Sequence, residues 1–435
     1  MATQTLQEAI DEAGSPVALL WKPSPPPWAP PVIAPEYAGW AEEQAASNDA
    51  VAFSDLSHHM SDLFIEGPDA LRLLSESSAN NYEKFEIGQA KQFIAVTERG
   101  HLVSDGILMR DATDRFTLSG APASQSWVRY HGEHGGYSVE LGSDPDSAHR
   151  GGGDPVLCRF QIQGPHAVAL AEKVFGPLPK TKFFHSTPVE LEGRDYRAFR
   201  HGMTAQPGYE FIGAYADGAF LKERLLEAGE EFGIVHVGGL AYSTNGIESG
   251  WIPTQAPGIY TSPELAGYRS WLSRDSYEGR RPLSGSFFSE DIEDYYCTPY
   301  ELGYGRSISF NHDFVGRDAL QEKKENVQRT KVTLELDDPE QNGFVVDYGR
   351  HRVERDGALV GMTCHIGSIA PVGGLLALAL VANEHAEPGT PVTVVWGEHP
   401  GPGASPSESN FRRVTATVQP SPYNEFARTQ YRKDT

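Results

Sequence analysis

An apolar run, Leu63-Phe64-Ile65, stands between Asp62 and Glu66, Gly67-Pro68 follows, and Ala70, Leu71, Leu73 and Leu74 then recur at helical spacing. That order predicts a strand, a Gly-Pro junction and a helix with proline at its start. The same order returns over 158–170, with Gly164-Pro165 at the junction, and the recurrence suggests an internal duplication. Between the two units, residues 92–98, 102–109 and 116–119 read as strands, joined by tight turns at Arg99-Gly100 and Asp111-Ala112. Gly151-Gly152-Gly153 reads as a return linker. Upstream, the prolines between Pro23 and Pro35 predict an extended arm, residues 37–48 a helix, and 52–60 a strand end and turn. After residue 251 the chain is polar, aromatic and irregular to about Tyr304, as in a surface excursion. From Lys331 onward, short alternating segments with turns at Asp337-Asp338-Pro339 and Glu387-Pro388-Gly389 predict a small β-barrel.

Length narrows this picture, because 435 residues exceed one ordinary core and call for two or three domains. The most apolar run, Leu375 to Ala382, is strand-length, far short of the roughly 20 residues of a membrane span. Residues 1–14 carry acids where a signal peptide needs bases and an apolar core, so a cytoplasmic location is expected. The net charge of -23 argues against nucleic acid or an anionic membrane as partner. Cys158, Cys297 and Cys364 are odd in number and far apart, which offers neither a disulfide framework nor a CxxC metal site. They are expected to be buried small hydrophobes. His58-His59 does not make a metal site either, because neighbours on a strand face opposite ways and no third ligand stands at recognisable spacing.

Two stretches hold most of the candidate chemistry, 201–211 and 240–251. Each sets one ionisable or aromatic group among glycines and small residues, as in loops that approach a flat ligand closely. Gly208-Tyr209-Glu210-Phe211 and Ile247-Glu248-Ser249-Gly250 resemble the G-x-E and L-x-E-A-G signatures of the glycine-cleavage T-protein (aminomethyltransferase) superfamily. His312 to Leu320 resembles the D-F-x-G-R-x-A-L run that closes the main body of those proteins, and the similarity extends from about residue 33 to residue 424. Within the superfamily, the chain is most similar to the tetrahydrofolate-dependent aryl O-demethylases of the vanillate and syringate type. Five segments carry that likeness in order: Ser57 to Met60, Ala90 to Phe93, Gly100 to Gly106, Glu248 to Pro253 and Pro299 to Gly305.

The resemblance implies a three-domain α+β cloverleaf around a central folate channel, with a C-terminal β-barrel. The domains implied are 1–57 with 155–325, then 58–154 inserted in the first, then 326–435. Glu210 would hold the pterin of tetrahydrofolate, with Asp105, Gln92 and Trp251 as further cofactor contacts. T-proteins have A-R-D-S-L-R-L-E-A-G where this chain has Tyr242 in place of the first Arg and Gly246 in place of the second. A guanidinium keeps its proton at working pH, whereas a phenol can give one up. Tyr242 is therefore the expected general acid for a departing phenolate oxygen, with His59 orienting or hydrogen-bonding the substrate oxygens.

Two departures bear on the substrate, an aryl methyl ether. Vanillate-type relatives have an Arg and a Tyr suited to a carboxylate where this chain has Gly120 and Pro30, and Leu56 stands where some relatives have Gln. Leu56, Gly120, Pro30 and Trp251 would line the ring pocket, and a neutral, guaiacol-like methoxyphenol becomes a candidate. Arg110 or Arg129 remain alternative sources of positive charge. Rival activities are demethylation of a sulfonium or methylamine, aminomethyl transfer, and folate binding without catalysis. No metal and no obligatory protein partner are expected.

Overall fold

The computed structural model describes residues 4–23, 30, 32–253, 256–338 and 340–433. Three sheets organise them. The central sheet runs in the order Ile234–His236, Val51–Asp55, Leu157–Gln163, Gly208–Ala214, Arg194–Phe199 and Ser186–Leu191. Every pairing is antiparallel except that of Val51–Asp55 with Ile234–His236. Helices Ala167–Phe175 and Gly218–Gly229 supply Leu170, Leu221 and Leu225 to a core with Phe53, Phe160 and Phe211. After Asp55 the chain leaves to build a second sheet, in the order Ala90–Val96, Leu102–Arg110, Arg115–Gly120, Ser61–Glu66 and Glu140–Asp144, and it rejoins the first at Leu157.

The two strand-glycine-proline units have the same geometry. Gly67 and Gly164 have φ of +138° and +132°, and a β-carbon on either would sit 2.5 or 2.4 Å from a backbone carbonyl oxygen. Only glycine fits there, because the chain must turn off the strand against another segment. The prolines do not open the helices as expected. Asp69 and His166 intervene as N-caps, so each proline lies in the turn before its helix.

The C-terminal segment closes into a barrel. Ala358–Ile369 pairs with Arg352–Arg355, and the ring continues through Pro391–Gly397, Phe411–Gln419, Arg329–Asp337 and Gly374–Ala382 back to Ala358–Ile369. Closure removes exposed edges, and the inward residues Leu334, Val353, Ile366, Ala377, Val394 and Val418 are all fully buried.

One expectation needs correction. The stretch after residue 251 is not a surface excursion. Ile259, Tyr260, Tyr268, Leu272, Ile292 and Tyr295 are buried in one cluster with Phe93, Phe116 and Trp127 of the second sheet and its helix. The N-terminal helices Leu6–Ala13 and Pro16–Leu20 join that same cluster, so the first twenty residues pack with the 58–154 segment. A lack of regular alternation concealed this core, since a segment held mainly by aromatic side chains need not follow a period of 2 or 3.6. In the proline arm, residues 24–29 and 31 lie outside the described residues, and the helix that follows is Trp40–Asp49. Among the described residues no helix is long and apolar enough to cross a membrane.

Candidate active site

The 240–251 stretch is a helix rather than a loop, Gly239–Ser249, ended by Gly250 at φ +70°. The Gly250 N–H reaches back to the carbonyls of Gly246 and Ile247, the usual way a left-handed glycine satisfies a helix C-terminus. Its small residues serve packing. The helix lies between helix Trp40–Asp49 and the barrel: Gln44 Nε2 donates to Thr244 Oγ1 at 2.7 Å, and a β-carbon on Gly367 of the barrel would come within 2.8 Å of Thr244 and Ile247. A β-carbon on Gly246 would come within 2.9 Å of the Trp251 carbonyl, and one on Gly208 within 1.9 Å of the Ile162 carbonyl. The glycines read as ligand-approach positions therefore let backbone approach backbone.

This tightly held helix presents Tyr242 to His59, which follows strand Val51–Asp55 of the central sheet. The phenol oxygen and His59 Nε2 are 2.6 Å apart, with the rings edge to face at 4.6 Å. His59 also bonds the backbone of Leu56. That bond occupies Nδ1 as donor and leaves Nε2 to accept the phenolic proton, a tautomer assigned from the network. Burial, reinforced by the Arg159 guanidinium, pushes His59 down to about 4. Burial, reinforced by the Glu210 carboxylate, pushes the Tyr242 phenol well above its usual range. The pair is thus neutral at working pH, with the proton on the tyrosine. His58 points elsewhere, to Ser147 at 3.0 Å and Tyr215 at 3.4 Å.

Glu210, on strand Gly208–Ala214, is 4% exposed. Its Oε1 accepts from Arg159 Nη1 at 2.8 Å, which leaves Oε2 for other donors. A buried carboxylate held through one oxygen is a place for ligand N–H donors at the other. Sequence reasoning passed over Arg159, which stands directly across from Ile212 on the neighbouring strand, two positions from Glu210. Its strand, Leu157–Gln163, also carries Gln161 and Gln163, so the arginine did not stand out as the one polar residue there. His201 also lies near Glu210, with Nδ1 unpartnered among the described residues.

A second constellation surrounds Asp105 on strand Leu102–Arg110. Gln92 Nε2 and Trp251 Nε1 both donate to its Oδ2, at 2.8 and 2.9 Å. Burial raises the Asp105 carboxyl, and these bonds oppose the rise. Lys331, close by, is pushed down to about 8 by burial, with Asp105 opposing, and its ammonium donates to the Gly250 carbonyl at 2.5 Å. Strand Arg115–Gly120 joins the two constellations: Ser119 accepts from Arg159 Nη2 at 2.8 Å, and Gly120 pairs with Gly106 beside Asp105.

The substrate-side positions are less uniform. Leu56 is buried, and its N–H donates to the Arg159 carbonyl at 2.8 Å. Gly120 has φ +136°, and a β-carbon there would be 3.3 Å from Gly106 Cα. Pro30 is buried, with its carbonyl accepting from Ile33 N–H. Neither alternative arginine is placed to help. Arg110 donates to the carbonyls of Phe85 and Thr113, and Arg129 is held by Glu133 at 3.2 Å. Glu248 of the second signature is enclosed, with Oε2 unpartnered, and burial raises it to about 8. A cavity of about 310 Å³ walled by His101, Cys297, Glu301, Lys323 and Arg329 includes none of the expected site residues. No cluster of metal ligands occurs among the described residues, and all three cysteines are buried and outside any disulfide.

Comparison with known proteins places this geometry. The model of the GCVT N-terminal domain matches residues 26–256. Syringate O-demethylase of Sphingobium sp. (strain NBRC 103272 / SYK-6) is 35% identical, covering 98% of each chain. Sesamin methylene transferase of Sinomonas sp. (strain No.22) is 27% identical over 89% of each. The crystal structure of glycine cleavage system aminomethyltransferase T from Bartonella henselae superposes with a TM-score of 0.65 over 90% of this chain and 92% of that one, at 18% identity. The fold is therefore that of the T-protein, barrel included, and the chain belongs to the GCVT family.

Proposed function

We propose that the protein is a tetrahydrofolate-dependent O-demethylase, which moves the methyl group of an aryl methyl ether to folate and releases a phenol. One observation carries the reading most directly: a neutral phenol, Tyr242, is held 2.6 Å from a neutral imidazole beside the Glu210 carboxylate. The residues fit the cofactor. Glu210 offers the carboxylate oxygen not held by Arg159 to ring N–H donors, and Asp105, fixed by Gln92 and Trp251, offers a second acidic contact. Bound tetrahydrofolate supplies N5, an uncharged amine that accepts the methyl group in line.

The protein's share is then orientation and one proton. As the methyl C–O bond breaks, its electron pair stays on the aryl oxygen. The Tyr242 O–H donates its proton there and leaves a phenolate, which is neutralised when the proton lost by the methylated amine returns to it directly or through His59. Holding nucleophile, methyl carbon and oxygen in line supplies the rest of the acceleration. Leu56, Gly120, Pro30 and Trp251 are proposed to border the ring. With Arg110 and Arg129 turned away and Arg159 paired with two carboxylates, neutral methoxyphenols of the guaiacol type join vanillate and syringate as candidate substrates, the class released by lignin breakdown. Three cysteines outside any disulfide suit a reducing, cytoplasmic setting.

The test is to incubate the protein with tetrahydrofolate and a panel of methoxyarenes, sulfonium compounds and methylamines, and to follow 5-methyltetrahydrofolate by mass. Methyl transfer from methoxyarenes is expected. Transfer only from a sulfonium or amine, or from nothing in the panel, would overturn the proposal.

A further inference from the structure

Beneath the Tyr242–His59 pair lies a buried ion triad that no sequence signature pointed to. Arg159 Nη1 donates to Glu210 Oε1 at 2.8 Å, and Arg159 Nη2 donates to Asp62 Oδ1 and Ser119 Oγ, both at 2.8 Å. Ser119 in turn donates to Asp62. All four side chains are 3% to 6% exposed. Arg159 and Glu210 belong to the central sheet, Asp62 and Ser119 to the second, so a single guanidinium bridges the two sheets. A planar fork can hold two carboxylates in fixed directions at once, which a lysine cannot do.

We propose that Arg159 is a positioning residue for the demethylation read above: it aims Glu210 at the cofactor and sets a positive charge near His59, which adds to burial in keeping that imidazole an acceptor for Tyr242. The proposal rests on that reading for its reaction, while its structural content concerns only this chain. Two consequences of the geometry separate it from a purely architectural ion pair. With one Glu210 oxygen committed to Arg159, the other is the one left for a ligand, so the carboxylate cannot rotate both oxygens away. The groups acting on His59 are Arg159, which disfavours its protonation, Asp146 and Asp55, which favour it, and the neutral Tyr242 phenol. Removing Arg159 leaves the acids opposed by burial alone, so His59 should take a proton at somewhat higher pH.

The experiment uses the full chain with 13C-labelled histidine, the His59 resonance being assigned by its loss in His59→Gln. Three variants are compared with wild type: Arg159→Gln, Arg159→Lys, and Arg159→Gln with Asp62→Asn, which restores the wild-type net charge of the triad. Arg159→Gln is expected to raise the His59 titration by roughly half to one pH unit and to weaken tetrahydrofolate binding, by calorimetry, about 10-fold or more. Arg159→Lys should keep the His59 titration low but recover little folate affinity, because the charge returns without the fork. The double variant covers the case in which Arg159→Gln fails to fold, and it should show the same weakened folate binding. A lower melting temperature in every variant, with His59 titration and folate affinity as in wild type, would overturn the proposal and leave Arg159 as a fastener between sheets. None of these readouts needs turnover. Failure of the methyl-transfer panel and failure of this proposal are therefore separate results.

Discussion

Replacing Tyr242 with Phe removes one oxygen and keeps the ring, its edge-to-face contact with His59 and the packing of its helix. The lost contact is a 2.6 Å hydrogen bond between two neutral groups, worth about 0.5 to 1.5 kcal/mol net. Folate and substrate should therefore bind within about tenfold of wild type. Turnover should fall much further, by roughly 10²- to 10⁴-fold, because a proton donor to the leaving oxygen is gone. That range corresponds to about 3 to 5 kcal/mol of barrier, well above the ground-state bond. Two controls sharpen the test. Burial and the Glu210 charge raise the Tyr242 phenol and burial lowers His59 to about 4, so both groups keep one protonation state across neutral pH. Wild-type kcat should show no limb from either between about pH 5 and 9, and a fall on the acid side toward pH 4 as His59 is protonated. The second control is the leaving group. A nitro-substituted methoxyarene expels a weakly basic phenolate and should lose far less rate in Tyr242→Phe than an electron-rich one, when 5-methyltetrahydrofolate is followed by rapid quench and mass. Equal losses across that series, or near wild-type turnover in the Phe variant, would refute general acid catalysis by Tyr242 and leave it a positioning role.

Three further outcomes rest on the same geometry. Glu210→Ala should weaken tetrahydrofolate binding by about 1.5 to 3 kcal/mol, and calorimetry showing unchanged affinity would remove Glu210 from the pterin site. Guaiacol should compete with vanillate at comparable kcat/KM, whereas a vanillate value far above every neutral methoxyphenol would show that some cation does meet the carboxylate; installing an arginine at Gly120 is a poor probe, since φ +136° and the 3.3 Å approach to Gly106 predict loss of folded protein. Glu248→Gln should stabilise the chain increasingly as pH rises from 5 to 8. Burial raises Glu248 to about 8, so the wild-type carboxyl favours the folded state below its unfolded value near 4.5 and loses that contribution as pH climbs toward 8. A melting-temperature difference between variant and wild type that stays flat over this range would mean that Glu248 is ionised and paired in the fold.

Where period and punctuation were strong, the chain could be read closely. The strands at 92–98, 102–109 and 116–119 lie within a residue or two of Ala90–Val96, Leu102–Arg110 and Arg115–Gly120, because alternation and turn residues are both local signals. The barrel was legible for the same reason, and its apolar run 375–382 is the strand Gly374–Ala382 that closes the ring. The helix at Gly239–Ser249 was not legible, since glycine, serine, threonine and asparagine argue for a loop on local propensity. Only its burial between the barrel and helix Trp40–Asp49 explains why small residues stand there. The site divided along the same line. Gln92, Asp105 and Trp251 do meet, as do Tyr242 and His59, whereas Arg159 could be found only by knowing that Asp62 and Glu210 face each other across two sheets.

The helix that carries Tyr242 also shows how one superfamily frame can be turned to a different leaving group. Its central residues are fixed from the barrel side: Tyr348 donates to the Ser243 carbonyl at 3.5 Å and stacks on His365, which is fully buried. A side chain on residue 242 therefore leaves a rigid support at a set angle toward His59, whatever its chemistry. With an arginine there, as in the T-protein signature, the group could only attract negative charge. With a phenol, the same support offers a proton whose affinity is close to that of the aryl oxygen it would serve, and a neutral His59 can take part in its return. Burial raises the phenol further, which costs acidity in the resting state but also ensures that the proton is present at every working pH. On the proposed mechanism, the exchange at this one helical position changes what the site can expel, provided that the nearby carboxylates are held in ion pairs. Arg159, paired with both Asp62 and Glu210, meets that condition.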